Sequence, residues 1–234
     1  MNKSTVTPPN FEERLRESDR VLLWVNSKLD GMKIPQLADD NRQVPDEEDD
    51  RRKQRKRSRL ACACWHVAVE HSMAIVVLVH EKLHGSALAL IRPLFEAYAR
   101  GMWLMHAATD DEVDRAGRDQ FPNDFNRMVD GVEKAGHIVG GALVGLKKDS
   151  WSRLCSFTHT GYQQIGARLT PEGLGYDYQD GEILQALEWA DGITLMSLMA
   201  FAGLTANETL ANEALEYLVP VVQLAGEVES EVAT

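Results

Sequence analysis

Apolar residues recur at helical spacing along most of this chain, and no sustained period-two alternation bounded by hairpin turns interrupts them. Leu15, Val21, Leu22, Val25 and Leu29 mark a first helix over residues 11–29. Gly31, Pro35 and the polar stretch 39–43 break it. Pro45 then precedes Asp46, Glu47, Glu48, Asp49 and Asp50, the composition of a helix start, because proline presets φ and acids face the positive end of the helix dipole. The basic run from Arg51 to Arg59 comes next. Glu47 with Arg51, Glu48 with Arg52 and Asp49 with Lys53 become i,i+4 pairs worth about 0.2–0.5 kcal/mol each. From Leu60 to His84 the same element turns mostly apolar, so the pattern predicts a rod of up to about 60 Å that projects from the body and then enters it. Gly85 and Ser86 separate it from a second helix, the tight link of an antiparallel pair, and Pro93 predicts a bend there.

Further on, residues 110–118 read as a short helix, 121–123 as a loose stretch and 124–137 as another helix, while Gly140, Gly141 and Gly145 weaken the next segment. Asp149 or Ser150 is suited to cap a helix from Trp151, and Thr158 or Thr160 to cap one over 163–169, so two short helices meet at His159. Pro171, Gly173 and Gly175 mark a loop before two long helices over 181–205 and 207–225. The expectation is an all-α, antiparallel helical bundle with a long charged N-terminal helix. Its core should include Leu78, Leu90, Leu94, Phe95, Trp103, Ile183, Leu187, Leu195 and Leu198. The divisions are a flexible 1–9, an N-terminal helix with its charged extension over 10–60, a bundle over 61–226 and a flexible 227–234.

Composition adds limits to this outline. A net charge of −11 over 234 residues argues against broad attraction to nucleic acid, although a local basic patch still acts within a Debye length of about 8–10 Å. Three cysteines, an odd number, and no charged-then-apolar leader favour a reduced, cytoplasmic setting. Residues 192–206 fall short of the roughly 20 needed to span a membrane, and His66, Glu70 and His71 interrupt 61–79. No membrane and no cofactor are expected.

Candidate chemistry begins with Arg92, Glu96 and Arg100, three charges four residues apart in the otherwise apolar stretch 87–108. They share one helix side, where burial demands complementary groups, a ligand or a second subunit. Trp151 to Gly161 gathers Arg153, Ser156, Thr158, His159 and Thr160 around a helix break. On an unbroken helix Arg153 and His159 would lie about 120° and 9 Å apart, so only a break or a partner chain joins them. Joined, guanidinium and imidazole are the minimum for cleaving RNA through its own 2′-hydroxyl without a metal, with Glu96 orienting Arg153. Arg153 and His159 are therefore the candidate catalytic pair, and Arg92, Glu96, Arg100, Ser156, Thr158 and Thr160 the candidate binding residues. The alternative is a closed structural network joining helices.

Three other features compete. His80, Glu81 and His84 spell H-E-x-x-H, which on a helix could hold zinc with Glu81 activating water, although Lys82 and the following Gly85 depart from the usual context. Cys62 and Cys64 point about 200° apart on a helix and cannot share one ion. The run 51–59 reads either as a phosphate-binding patch or as a solvated face. It lacks interleaved aromatics, and residues 46–60 could instead dock a protein partner.

Two strings carry a resemblance: His84 to Trp103, with its Arg-Pro-x-x-Glu at 92–96, and Trp151 to Gly161, with Ser-Phe-Thr-His-Thr-Gly. Together they resemble an uncharacterised bacterial family of helical proteins over about residues 75–205, which implies fold but no chemistry. A second resemblance is to the HEPN superfamily of helical ribonucleases and nucleotide-binding proteins, many acting as dimers in toxin–antitoxin and phage-defence systems. Its motif separates an Arg and a His by four to six intervening residues. Arg153 and His159 have that spacing, with Leu154 where a polar residue is common. That resemblance implies a homodimeric, metal-independent endoribonuclease or RNA-binding effector. A noncatalytic regulatory module and a zinc hydrolase are the alternatives from the residues themselves.

Overall fold

The computed structural model describes residues 11–30, 32, 34, 49–122, 124–136, 151–171 and 173–232, with 222–232 by backbone alone. The expected flexible start, the breaker at Gly31, the break and helix start across 35–48, the glycines at 140, 141 and 145, the caps at 149 and 150 and the last two residues lie outside that set. Helix α1 is Phe11–Leu29, α2 Asp49–His80, α3 His84–His106, α4 Asp110–Ala116 and α5 Phe125–Lys134. Helix α6 covers 151–158, followed by α7 Tyr162–Gly166, a ladder of β1 Leu169–Thr170 and β2 Gly173–Leu174, α8 Asp180–Leu204 and α9 Glu208–Val232. The chain is an all-α bundle, with the small ladder standing where the sequence suggested only a loop.

Helices α2 and α3 form the antiparallel pair, but they turn over Glu81–Leu83 rather than at Gly85 and Ser86. Lys82 takes a left-handed φ of 56°, and Leu83 N–H donates to the Leu78 carbonyl at 2.8 Å, closing α2. Gly85 instead lies in the first turn of α3, where a Cβ would come within 2.3 Å of the Tyr178 hydroxyl. Gly101 has the same role deeper down: a Cβ there would meet the Trp65 indole at 2.3 Å, so its absence lets α2 and α3 close over a ring only 1 % exposed. Helix α3 continues through Pro93.

The core runs between α2, α3 and α8. Leu94, Phe95, Trp103, Ile183, Leu187, Leu195 and Leu198 are buried as their spacing predicts, whereas Leu78 and Leu90 are only half-buried at its margin. Helix α1 adds Leu15 and Leu22 to this cluster and Val21 and Val25 to a second one shared with α8 and α9. Thr109 and Glu112 form a reciprocal capping box at the start of α4.

The charged half of α2 does not stand clear of the body. Arg57 Nη1 donates to the Leu104 and Ala108 carbonyls at 2.5 and 2.7 Å, capping the end of α3, and its Nη2 meets Asp110 at 2.8 Å. Lys56 pairs with Asp114, and Lys53 with Asp49 at 2.6 Å. Acidic residues of α4 thus draw this half inward. Helix α2 is long and apolar enough to cross a membrane by length and composition, with 44 % of the relevant window buried inside the fold.

Candidate functional site

Helix α6 brings its hydroxyls, thiol and imidazole against α3. Thr160 adopts a left-handed φ of 55°, and the Gly161 N–H returns to the Ser156 carbonyl at 2.6 Å, ending the helix abruptly. A Cβ on Gly161 would fall 2.5 Å from Ser156 Oγ, so only glycine fits this turn. A threonine in the left-handed region is costly and persists where surrounding contacts impose it. Ser156 Oγ accepts from the Gln163 N–H at 3.0 Å, and Thr158 Oγ1 donates to the Leu154 and Ala89 carbonyls at 2.9 and 3.2 Å. These bonds fix the junction onto α3. His159 emerges there, exposed on its outer side.

Across from it the Arg92 guanidinium is committed in three directions. Its Nε donates to Glu96 Oε1 at 2.7 Å, while Nη1 donates to His159 Nε2 at 2.6 Å and reaches Cys155 Sγ at 3.4 Å. An arginine is always a donor, so Nε2 is the accepting nitrogen and the ring proton belongs on Nδ1. Its flat face rests on the Trp151 ring, 4.8 Å from the centroid, and Trp151 stacks on Phe125 at 5.0 Å. Glu96 Oε2 accepts from Arg100 at 3.2 Å, and Arg100 lies over Phe121 at 5.1 Å. Arg100 Nε is buried without a hydrogen-bond partner among the described residues. One carboxylate between two guanidiniums leaves this patch positive.

The structure thus gathers Arg92, Glu96, Arg100 and His159, with Ser156 and Thr158 building the turn and Thr160 exposed at its tip. Arg153 takes another direction. Its guanidinium pairs with Glu182 on α8 and lies over Phe157, because α6 stays helical through 158 and keeps the two side chains on different faces. Glu96 does not orient Arg153. Arg92 and Arg100, one turn either side on the same helix, occupy both of its oxygens.

His80 and His84 do not share a helix, since the left-handed turn at Lys82 falls between them. His80 meets Asp19 at 3.0 Å, while His84 packs near Phe11 and Tyr178. Burial lowers the His84 pKa, against the opposing pull of Asp180. Among the described residues no three His, Cys, Asp or Glu side chains converge as metal ligands. Burial pushes the Cys62 and Cys64 thiols up to about 12 and about 11, leaving them neutral and unreactive.

Two participants escaped sequence reasoning. Cys155 faces Arg92 because it lies one helical turn before His159, a spacing visible in the sequence. The other is a sealed ion pair: Arg14 Nη2 meets Asp191 Oδ2 at 2.7 Å, and the Ser18 hydroxyl, accepting from Arg14 at 3.0 Å, donates to the same carboxylate at 2.8 Å. Arg14 sits in register with Ser18, Val21 and Val25, on the buried stripe of α1, and Asp191 falls in the apolar middle of α8. A charge on an apolar stripe was the available signal.

Fold and site together define an all-helical bundle protein with an open Arg–Glu–Arg and histidine cluster between α3 and α6. The chain belongs to DUF6988, a family of unknown function, whose model matches residues 65–220 and so spans both helices of the cluster while leaving α1 outside. Compared with curated proteins and with solved structures, it matches none.

Proposed function

We propose that this protein is an RNA-binding effector that cleaves RNA without a metal, with Arg92 and His159 as the reacting pair. The observation that carries this reading is the 2.6 Å contact between Arg92 Nη1 and His159 Nε2 at an exposed helix junction. A guanidinium held edge-on by Glu96 and face-on by Trp151 is pre-oriented for a planar, bidentate anion. When a phosphodiester engages it, Nη1 turns from the imidazole to a phosphate oxygen, and the Nε2 lone pair becomes free. His159 then takes the proton of the RNA 2′-hydroxyl as its oxygen attacks phosphorus. The P–O5′ bond breaks, the imidazolium returns a proton to the leaving 5′-oxygen, and a 2′,3′-cyclic phosphate remains. Arg100 adds positive charge beside the phosphate, and Arg153, neutralised by Glu182, stays outside the reaction.

The test is incubation of purified protein with total cellular RNA in EDTA, beside Arg92→Ala, His159→Ala and Arg153→Ala. Wild type should leave cyclic-phosphate ends, the first two variants should lose at least about 100-fold in rate, as removal of a general base does, and Arg153→Ala should retain most activity. Equal inactivity of all four would instead favour a noncatalytic module, in which Arg92, Glu96, Arg100 and His159 serve only to join α3 to the α6 junction.

A further inference from the structure

Five of the exposed large hydrophobic residues fall within fifteen positions directly after the candidate site in the chain. Tyr162 is 78 % exposed and Ile165 47 % on α7, Leu169 58 % and Leu174 87 % on the β1–β2 ladder, and Tyr176 67 % just beyond β2. Leu169 and Leu174 are direct cross-strand partners, so both project from one face of the ladder into solvent. A ladder this short is marginal alone, yet hydrogen bonds from Gly175 N–H to the Arg168 carbonyl at 2.9 Å and from Asp177 N–H to the Ala167 carbonyl at 2.8 Å hold it in place. Arg168 stacks on Tyr176 at 4.5 Å, stiffening the ledge. Tyr and Arg on a rigid support are residues that anchor protein interfaces, and the aliphatics beside them add apolar area.

Size and charge identify what covers it. Two tyrosines and three aliphatics at these exposures offer on the order of 600 Å², near the ~800 Å² per partner of a standard interface. The border carries both signs, with Arg168 set against the exposed Asp177 and Asp180. A polyanion would call for a single positive sign, whereas a two-fold axis makes any contact between one copy's cation and the other copy's carboxylates reciprocal, so a border of both signs is self-complementary. We propose that residues 162–178 form the contact surface between two copies of this chain. The open edge of β2 lies at that contact, where pairing with its symmetry mate removes an exposed strand edge.

Light scattering of the purified protein across a dilution series tests this without RNA, so its failure is distinct from failure of the RNA reading. Wild type should have the mass of a dimer. Leu174→Glu and Tyr162→Glu should raise the dimer dissociation constant at least about 30-fold, the threshold of an interface hot spot, with unchanged circular dichroism. Leu23→Glu, on a leucine of α1 that is 71 % exposed, should leave the dimer intact. Should the glutamate variants lose helicity, Leu174→Cys replaces them and should give a disulfide-linked dimer under mild oxidant faster than Leu23→Cys. A wild-type monomer at every concentration, a dimer indifferent to the ledge substitutions, or one dissolved by Leu23→Glu alone would overturn the assignment.

Discussion

Arg14 with Asp191 and Arg92 with Glu96 are both arginine–carboxylate pairs at 2.7 Å, yet the first leaves 2 % and 0 % of its side chains exposed and the second 21 % and 17 %. Distance therefore does not distinguish them; access and stoichiometry do. The α1–α8 pair is sealed, and although Ser18 bridges it, Arg14 Nε and Asp191 Oδ1 lack hydrogen-bond partners among the described residues, so its charges have nowhere else to go. Glu96 divides itself between two guanidiniums at a surface junction, and Arg92 shares an imidazole besides. The sealed pair is closed to solvent, and the open one is where the proposed chemistry is placed.

The strongest way to break that contrast is to remove one member of each pair. Asp191→Ala strands the buried Arg14 charge and should cost about 3–5 kcal/mol in urea unfolding, whereas Arg14→Met with Asp191→Leu should recover most of it by replacing the pair with packed apolar groups. Arg92→Ala should cost less than Asp191→Ala in the same measurement, about 1–2 kcal/mol, since the partly exposed Glu96 keeps Arg100 as a partner and access to water, while abolishing RNA cleavage. Equal stability losses at the two sites would erase the distinction. The smallest effect is in pH dependence. Burial raises the Glu188 carboxyl above its ordinary value, with Asp191 reinforcing and Arg14 opposing. The native state thus holds that proton more tightly than the unfolded chain, and the contribution, present at pH values below the ordinary carboxylate pKa near 4.5, is lost as pH rises through the raised one. Glu188→Gln should flatten that loss in thermal unfolding followed across the window.

Much of this was legible along the chain because helical periodicity reports burial directly. The α1 range and the buried rows of α3 and α8 follow from apolar spacing alone. The stripe at 92, 96 and 100 was visible for the converse reason, as charge where the pattern demands none. The pairing of Arg92 rather than Arg153 with His159 was not legible. It depends on α6 remaining helical to 158 and then ending in a left-handed threonine, and local propensity gives no warning of threonine there. The ladder at 169–174 escaped because two-residue strands are too short to show alternation. The turn at Lys82 was hidden likewise, since a lysine carries none of glycine's signal for positive φ.

Exchange of His159 for phosphate at Arg92 is the step on which the proposed chemistry turns. The direct measurement is the 15N–1H spectrum of the His159 ring during titration with a 2′-O-methyl RNA, which binds but cannot be cleaved, in EDTA. The His159 ring resonances should shift saturably in the wild type and stay fixed in Arg92→Ala. A ring indifferent to RNA in the wild type, or shifting equally without Arg92, would contradict it.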